Sequence, residues 1–585
     1  MENADVANVL AQMASMTEVL GGNPFKVRAF RQAAQAIDGL PGPVSALRRS
    51  GELESLPGIG PRIAEKIGEI LDTGTCEEHQ ALAAQVPIGI LELLRIEGVG
   101  PKTAQELWHR LDVTDVESLR EAISSGRIRE LPRMGPVRLR GLASALGRYQ
   151  VRGDRMPLYR AVLYADGILE RLRAVPGVIR AEAAGSVRRR RETVGDVDLL
   201  VASREPTAVM DAFVGIPDVA KVIARGETKS SIRLESGLQV DLRVLPPDCF
   251  GAALHYFTGS KSHNIALRTR AVRMGIKVSE YGVFDRDGKK LAGEHEEDVF
   301  EAVGLPWIPP ELREGAGEIE AAEEGELPEL LVDDDLQGDL HLHSKRSSDG
   351  RSSLEDIWAV GRRLGRKYLA ITDHTRSRPL GLGPEDALDH ADEIRSLSKR
   401  LKGGPKLLAG VEVDILGDGS LDLPLEVLAR LDWVVASIHS RFHETRATMT
   451  SRIVRAIESG VVDAIGHPSG RKIGKRDPYD FDLQAVLRVA RAHGVALELN
   501  SAPDRLDLDD KSCRLAKEAG VQVVIDSDAH VAHLLDMTRY GVWVARRGWL
   551  EKTDVRNAGP ASRLRTRRRQ AAARRHEPHE EEARP

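Results

Sequence analysis

The second half of the chain repeats one pattern, a short apolar run that ends in a histidine or an acidic residue. These runs alternate with helical stretches, which is typical of a parallel sheet or barrel whose strands are connected by helices. Because the carboxyl ends of such strands meet at one rim, we expect their polar residues to converge there. The residues in this position are His341, His343, Asp349, His374, Glu412, His439, His467, Asp528 and His530.

These residues predict a metal centre. His341 and His343 alternate with a leucine, so both imidazoles point to one face of a strand. Mixed imidazole and carboxylate ligands suit Zn²⁺ or Mn²⁺, and at about three ligands per ion the set could hold up to three ions. A lone histidine would more often be a buried structural residue. Arg376, Arg441 and Lys472 follow ligand segments and could hold substrate phosphates or be ordinary loop residues.

A second group of acidic residues lies in the first half of the chain. Asp196 and Asp198 alternate with a valine at the start of an apolar run, so both carboxylates point to one face of a strand. Two such charges repel unless a divalent cation lies between them, and Mg²⁺ prefers oxygen ligands of this kind. Asp241, in another apolar run, could supply a third carboxylate. The alternative is an exposed strand end with no ligand.

Residues upstream of this pair suit a phosphate. Gly185 and Ser186 can turn the chain toward one, and Arg188 and Arg189 can neutralise its charge. Together with the aspartates, they predict two-metal phosphoryl or nucleotidyl transfer.

The first 150 residues are rich in helix and contain a glycine turn that recurs before a helix. Two copies match well and a third, at 131–139, is weaker. Amide groups at helix N-termini bind phosphate oxygens, although the same turn also joins two helices tightly without a ligand. The copies resemble helix-hairpin-helix motifs, which grip the DNA backbone and can bind a monovalent cation at the turn. Their key residues are Gly58, Gly60, Arg62, Gly98, Gly100 and Lys102.

Composition limits the class of protein. The net charge of −5 argues against a nucleic-acid-binding protein whose whole surface is positive. Cys76, Cys249 and Cys513 lie far apart, which excludes a disulfide scaffold and a cysteine-rich zinc finger. The sequence has no apolar run of the ~18–20 residues that a membrane helix needs and no secretion signal, so we expect a soluble cytoplasmic protein.

The stretch from Gly185 to Val201 resembles the nucleotidyltransferase palm of family X DNA polymerases, the polymerase beta type. The resemblance extends over 255–264, Arg268 and 280–281. It implies that Asp196 and Asp198 bind both metals, Mg²⁺ or Mn²⁺, with Asp241 near the primer 3′-hydroxyl. The residues that it implies for the incoming nucleotide are Gly185, Ser186, Arg189 and Gly195 at the triphosphate, Tyr256, Phe257 and Gly259 at the sugar, and Asn264 and Arg268 at the base or template.

The N-terminal part is similar to the small lyase domain of the same family over 23–31 and 56–67. By that likeness Phe25 and Lys26 contact DNA, and Lys66 is the Schiff-base lysine that removes 5′-deoxyribose phosphate. Phe30 replaces the tyrosine of the family and Arg62 a helping lysine. Phe30 has no hydroxyl and Arg62 does not deprotonate, so we expect binding of a 5′-phosphate in preference to lyase activity.

The second half resembles the polymerase-and-histidinol-phosphatase (PHP) domain, whose usual metal-ligand positions are all matched. The order of domains is that of bacterial-type family X polymerases. The likeness implies a DNA polymerase that fills short gaps in base excision repair and a 3′→5′ exonuclease, with possible 3′-phosphatase or abasic-site endonuclease activity. Its substrates would be deoxynucleoside triphosphates and gapped or primer-template DNA with 5′-phosphate ends.

We therefore predict a multidomain α+β and α/β protein, a monomer with no membrane partner. The predicted divisions are a lyase-like helical domain at 1–80, a second helical domain with two hairpin motifs at 81–150, a palm with a mixed sheet at 151–248, fingers or thumb at 249–308, an acidic solvated linker at 309–336, a distorted β/α barrel at 337–560 and a disordered charged tail at 561–585.

Two other functions remain open. The chain could be chiefly a nuclease or phosphatase that processes 3′ ends, with a weak polymerase. It could also be a non-catalytic scaffold that binds DNA ends through the hairpin motifs alone. Metal-dependent turnover at each centre separates the three possibilities.

Overall fold

The computed structural model describes residues 3–38, 44–56, 58–87, 89–94, 96, 98–131, 134–135, 138–143, 146 and 155–564. The chain divides into two compact units, Met1–Asp154 and Arg155–Pro585. Within the described ranges, no helix combines the length and apolar character needed to cross a bilayer.

The first unit is helical in its described part, as predicted. Its core gathers apolar side chains from one face of each helix, among them Met13, Phe30, Ile67 and Leu107. Two helices begin with a proline directly after a glycine, where the missing N–H of proline costs nothing. The helices are Asn3–Val19, Pro24–Asp38, Val44–Ser50, Pro61–Thr73, Glu77–Ala83, Gly89–Leu93, Pro101–Leu111 and Val116–Ser124.

The second unit begins with a mixed five-stranded sheet in the order β2-β4-β7-β6-β5. Only β4 and β7 pair in parallel, and they form its centre. Helices Leu158–Arg173, Gly185–Arg188 and Pro206–Val214 accompany it, and β1 pairs with β3 as a short separate ribbon. The strands are β1 Met156–Pro157, β2 Val178–Ala183, β3 Thr193–Val194, β4 Asp196–Ser203, β5 Val219–Arg225, β6 Lys229–Leu234 and β7 Gln239–Leu245.

A helical subdomain with a small antiparallel sheet follows. Its helices are Phe250–Thr258, Lys261–Arg273 and Glu296–Glu301, and its strands are β8 Lys277–Ser279, β9 Gly282–Phe284 and β10 Lys290–Ala292. Buried Glu296 accepts hydrogen bonds from Arg313 NH1 (2.6 Å), Arg188 NH1 (2.6 Å) and Trp307 Nε1 (2.8 Å). Burial alone would raise the pKa of Glu296, but the two guanidinium groups hold it well below its usual range.

Glu296→Gln is expected to destabilise this subdomain by about 3–5 kcal/mol, because it leaves the buried Arg313 guanidinium without its counter-charge. Urea denaturation followed by intrinsic fluorescence measures the change. The adjacent exposed Glu297 is the matched control. A Glu296→Gln midpoint equal to that of Glu297→Gln would show that the buried ion pair contributes nothing.

The C-terminal part is a nearly closed seven-stranded parallel barrel in which strands β11 to β17 follow one another in chain order. Leu342, at the end of β11, pairs with Ala529, just beyond β17. At the same seam, Nδ2 of Asn557 donates to the carbonyls of Gly338 (2.9 Å) and Ile525 (2.7 Å). The strands are β11 Gly338–Leu342, β12 Tyr368–Ile371, β13 Lys406–Asp414, β14 Trp433–Ser437, β15 Ala464–Ile465, β16 Ala496–Asn500 and β17 Val523–Asp526.

Helices cover the outside of this barrel. They present apolar faces to one core, which includes Ile394, Leu428, Ile453 and Leu487. The predicted alternation of apolar strands and helices is confirmed. The helices are Leu354–Arg363, Pro384–Arg400, Leu425–Ala429, Arg446–Glu458, Leu483–His493, Asp510–Glu518 and Thr538–Arg547.

The prediction of a solvated linker at 309–336 is wrong. The segment contains a 3-10 turn, Pro310–Leu312, and a helix, Glu318–Glu324. Leu312 of the turn and Ile319 of the helix are buried in the core of the preceding subdomain. Its acidic residues bind basic partners that are distant in sequence, which composition alone does not reveal. The pairs are Glu311 with Arg546, Glu314 with Arg189, and Glu318 with His263.

The predicted start of the tail at 561 is also too early. Ala561–Arg563 form a 3-10 turn, and Leu564 is buried beneath the barrel against Tyr368 and Trp433. Residues 565–585, the rest of the predicted tail, lie outside the described residues.

Candidate functional sites

Three carboxylates meet where β4 and β7 begin to run in parallel. Asp196 opens β4, and Asp198 pairs in register with Asp241 on β7, so the side chains of Asp198 and Asp241 lie on one face. Burial, and then the charges of Asp196 and Asp241, raise the pKa of Asp198 to about 7. The three carboxylates converge, and the repulsion between them disfavours their ionisation. A divalent cation would relieve that repulsion, so the three oxygen donors fit such a cation.

Gly185 lies against this group. Its φ is +56°, and a Cβ at this position would lie 2.2 Å from Oδ2 of Asp198. Only glycine therefore allows the backbone to pass the carboxylate of Asp198 so closely. Gly185 is the first residue of the short helix Gly185–Arg188.

A cleft of about 740 Å³ opens beside the carboxylates. Nδ2 of Asn264 donates to the carbonyl of Tyr256 (2.7 Å), which ties the two helices of the cleft wall together. All nine residues predicted to contact the nucleotide or the template line the cleft, together with the basic Arg155, Arg191 and Lys261, which the sequence did not single out. The predicted residues are Gly185, Ser186, Arg189, Gly195, Tyr256, Phe257, Gly259, Asn264 and Arg268.

Two of the three glycine turns lie in described segments of the first unit. Gly60 and Gly100 each precede the first residue of a helix, and Gly58 and Gly98 have positive φ of 80° and 88°. A Cβ at Gly60 or Gly100 would meet no described atom within 4 Å. Packing therefore does not demand glycine there, whereas close approach of a phosphate backbone would. The third turn includes Pro132, Arg133, Pro136 and Val137, which lie outside the described residues.

Lys66 lies in an ion-pair cluster on the helix after the first turn. Its Nζ is 2.9 Å from Oε2 of Glu78, whose other oxygen pairs with Lys26. Burial alone would lower the pKa of Lys66, but the hydrogen bond and charge of Glu78 outweigh it and raise the pKa. A Schiff base forms from the neutral amine, so this arrangement opposes lyase chemistry. Phe30, in place of a tyrosine, is buried.

We expect borohydride trapping on 5′-deoxyribose-phosphate ends to give the same low adduct yield with wild-type protein and Lys66→Ala at pH 7.5. Lys66 lacks the lowered pKa that a reactive lysine needs at that pH, because Glu78 raises its pKa above the ordinary value. Glu78→Gln, which removes the counter-ion, is the companion variant. A wild-type adduct well above that of Lys66→Ala would contradict this assignment.

The nine predicted ligands converge at one rim of the barrel. Glu412, on β13, lies at their centre, and its oxygens are 2.8 Å from His374 Nδ1, 3.0 Å from His467 Nε2 and 3.2 Å from His439 Nε2. Ligand atoms lie within 4.8 Å of one another in three overlapping groups. The groups are His343, Asp349, His374 and His530; His341, His343 and Asp528; and His374, Glu412 and His439.

The unpartnered atoms of this cluster fit metal ions. Nε2 of His341 and Nε2 of His343 are buried without a hydrogen bond from any described residue. Burial would lower the pKa of His374, but the charge of Glu412 and the carboxylate of Asp349 raise it to about 10. Imidazoles that carry protons only because carboxylates surround them can exchange those protons for divalent cations.

Further residues orient these ligands. Nδ1 of His341 lies 2.7 Å from Oε1 of Glu498, and Nδ1 of His343 lies 3.1 Å from the hydroxyl of Ser347, which donates to Asp373. Partners of this kind fix the tautomer and the ring orientation of a ligand. Sequence reasoning did not identify them, because they become partners only in the folded barrel.

Sequence reasoning also missed Arg505, in the loop after β16. Its Nε is 3.7 Å from Oδ2 of Asp528, and its NH1 is buried without a hydrogen-bond partner among the described residues. Burial and then Arg505 lower the pKa of nearby Lys472. A buried guanidinium donor without a partner, beside Asp528, can bind an anion. Arg376 and Arg441, which the sequence suggested, are exposed.

Comparison with known families divides the chain as the fold does. Residues 1–76 match a helix-hairpin-helix domain, and 90–148 match a SAM-like helix-hairpin-helix tandem. Residues 253–314 match the DNA polymerase beta thumb, and 339–502 match the PHP domain.

Individual relatives cover the chain in whole or in part. It is 38% identical over 563 residues to the DNA polymerase/3′-5′ exonuclease PolX of Bacillus subtilis, which covers 95% of this chain and 98% of that protein. DNA polymerase lambda of Rattus norvegicus is 28% identical over 50% of this chain and 53% of its own length. A probable phosphatase of Shewanella loihica is 35% identical over 34% of this chain and 79% of its own length.

Proposed function

This chain is a family X DNA polymerase with a C-terminal PHP domain, and we propose that it fills short gaps in DNA at one centre and trims 3′ ends at the other. The observation that carries the proposal is the coexistence of two separate metal-ligand sets in one chain. One is the carboxylate set of Asp196, Asp198 and Asp241, and the other is the nine-residue set at the barrel rim.

At the carboxylate set, Asp196 and Asp198 would hold two Mg²⁺ or Mn²⁺ ions, and Asp241 would face the primer 3′-hydroxyl. Such ions lower the barrier by activating the attacking hydroxyl and by neutralising charge on the triphosphate. The protein residues position the nucleotide: the turn at Gly185 and Ser186 with Arg189 would hold the triphosphate. Tyr256 and Phe257, on the opposite cleft wall, would contact the sugar.

At the barrel rim, the three overlapping groups, which include every predicted ligand except His467, would hold up to three Mn²⁺ or Zn²⁺ ions. Bound there, the ions would supply a nucleophile for phosphodiester hydrolysis and stabilise charge that develops on phosphorus. Glu412 would help to hold the ions, and Glu498 and Ser347 would keep the imidazoles of His341 and His343 in one orientation.

We assign Arg505 to the phosphate of the 3′-terminal nucleotide at the rim. Its buried, unpartnered NH1 and its place beside Asp528 support this role. Arg505→Gln is expected to raise KM for trimming by about tenfold or more without loss of bound metal, because only the phosphate contact is removed. Trimming kinetics and metal content on the same sample measure the two effects. Exposed Lys475, in the neighbouring loop, gives the control Lys475→Gln.

A metal content that falls together with the trimming rate in Arg505→Gln would make Arg505 a residue that only supports Asp528. A 3′-phosphatase activity at the same rim is a second candidate, favoured by the likeness of 34% of the chain to a probable phosphatase. A substrate with a 3′-phosphate distinguishes the two leaving groups.

The glycine turns of the first unit would hold the DNA backbone, with Arg62 and Lys102 adding charge and Phe25 and Lys26 adding contacts near a 5′-phosphate. Open space beside Gly60 and Gly100 supports this role. We place the protein in the cytoplasm, at the nucleoid, as a monomer. Binding through a few backbone contacts should weaken with rising salt.

One assay tests the proposal. The full chain is given DNA with a one-nucleotide gap and a 5′-phosphate, with Mg²⁺ and Mn²⁺ compared, and both extension and 3′ trimming are followed. Extension by one nucleotide together with Mn²⁺-favoured trimming supports the proposal. Binding to the gap with no turnover in either metal would reduce the protein to a scaffold, and trimming without extension would make it an end-processing nuclease.

A further inference from the structure

The last helix of the barrel, Thr538–Arg547, packs against the polymerase part of the same unit. The Arg190 guanidinium lies over the Trp543 ring at 4.0 Å, and the rings of Tyr159 and Tyr540 meet edge to face at 6.4 Å. Trp543 contacts the cores of both the barrel and the five-stranded sheet. The barrel is therefore packed directly against the sheet that bears the polymerase carboxylates.

Arg547 ends this helix and is almost wholly buried. Its NH1 donates to the carbonyl of Arg189 (2.8 Å) and to Oε1 of Glu314 (3.0 Å), and its NH2 donates to Oδ2 of Asp510 (2.6 Å). Asp510 belongs to the barrel, so one guanidinium joins barrel and polymerase through charged groups and a carbonyl. The planar fork of arginine suits such a bridge, which a lysine could not reproduce.

Glu314 connects Arg547 to the nucleotide cleft. Its Oε1 also accepts a hydrogen bond from Nε of Arg189 (3.0 Å), and Arg189 NH1 donates to the carbonyl of Thr258. Arg189 and Glu314 both line the cleft. Arg547 thus holds Arg189 twice, once at its backbone and once through the carboxylate that orients its side chain.

The charges around Glu314 favour the binding of a phosphate by Arg189. Glu314 is shared by Arg189, Arg547 and Arg191, whose NH1 lies 3.7 Å from Oε2. Without Arg547, Glu314 would interact more strongly with Arg189 and offset the positive charge that a triphosphate needs. Arg547 therefore leaves Arg189 both oriented and able to bind an anion.

We propose that Arg547, at the end of the last barrel helix, is a positioning residue for the polymerase centre and sets its affinity for the incoming nucleoside triphosphate through Glu314 and Arg189. The proposal rests on the proposed role of the cleft in nucleotide binding. It makes nucleotide affinity depend on the hydrolase domain even though that domain supplies no polymerase ligand.

The test compares Arg547→Gln with Arg546→Gln in the full chain. Arg546 is the neighbouring interdomain arginine, bonded to Glu311 (2.8 Å) and to the carbonyl of Leu331 (3.0 Å) but not to Arg189. In one-nucleotide gap filling, we expect Arg547→Gln to raise KM for the nucleotide at least about fivefold with kcat nearly unchanged. Arg546→Gln should leave KM as in wild type, and 3′ trimming should be normal in both.

Equal KM values for the two variants would overturn the proposal, and so would a loss of trimming in Arg547→Gln that parallels its loss of extension. If Arg547→Gln does not fold, Arg547→Lys, which keeps the charge but lacks the planar fork that bonds both Glu314 and the Arg189 carbonyl, must raise KM with trimming retained, and an unchanged KM refutes the proposal. A wild-type protein that extends no primer would instead refute the proposed polymerase function.

Discussion

Asp198→Asn is expected to lower primer extension at least about a thousandfold, ~4 kcal/mol of transition-state stabilisation, while 3′ trimming stays unchanged. Asp198 faces Asp241 across β4 and β7 and lies against the turn at Gly185. Asparagine keeps the shape of the side chain but removes the charge that would hold both metal ions. Single-turnover extension on gapped DNA measures the effect, and trimming of the same DNA without nucleotide is the internal control.

Loss of folding stability does not explain this loss of primer extension, because the ionised carboxylate of Asp198 destabilises the folded protein when no metal is bound. Its pKa of about 7 lies above the ~3.9 of an unfolded aspartate, so its ionisation makes the folded state less stable as pH rises from about 4 to 7. Without divalent cations, Asp198→Asn should therefore melt no lower than wild type at pH 8, and the difference should shrink toward pH 4. A variant that melts lower at pH 8 would mean that the lost activity reflects damaged structure.

Glu412→Gln should have the opposite effect, a loss of trimming of at least about a thousandfold with normal extension. The two carboxylate oxygens lie near five imidazoles, the more distant being His341 at 3.4 Å and His343 at 3.6 Å. Removing a charge shared by so many ligands should release metal as well as activity. Metal analysis after gel filtration and trimming of a 3′-labelled primer measure both effects.

Glu498→Gln is the graded comparison for this variant. Glu498 contacts His341 from the side away from the ligand cluster and accepts a hydrogen bond from the backbone N–H of His467. We expect a loss of about 10–100-fold, the usual cost of removing a residue that orients a metal ligand. Equal losses in Glu412→Gln and Glu498→Gln would indicate that Glu412 has no role as a ligand.

The sequence predicted the fold and the grouping of the ligands because both depend on local patterns. His341 and His343 could be predicted as metal ligands because His341 interrupts an apolar strand and His343 follows its end. The carboxyl ends of parallel strands meet at one rim. Asp196 and Asp198 were recognisable from strand alternation, and their partnership with Asp241 needed only that β4 and β7 be neighbours.

What the sequence did not predict depends on pairs of residues that are far apart. Glu311 and Glu314 looked like parts of a solvated linker, because nothing near them shows that Arg546 and Arg189 lie within hydrogen-bonding distance. The sequence does not distinguish Arg505 from other loop arginines, because only the fold buries its NH1 group beside Asp528. Acidic composition therefore indicated exposure where the fold instead builds buried ion pairs.

The closed seam of the barrel also sets an order of events on the ribosome. His341 lies on the first strand, whereas Asp528, His530 and the seam residue Asn557 come last. At about 5–20 residues per second, the ~290 residues between Asp241 and Asp528 take ~15–60 s to synthesise. During that interval a nascent chain has its polymerase carboxylates but neither a trimming centre nor Arg547. Fragments from interrupted translation should therefore compete poorly for nucleotides at damaged DNA.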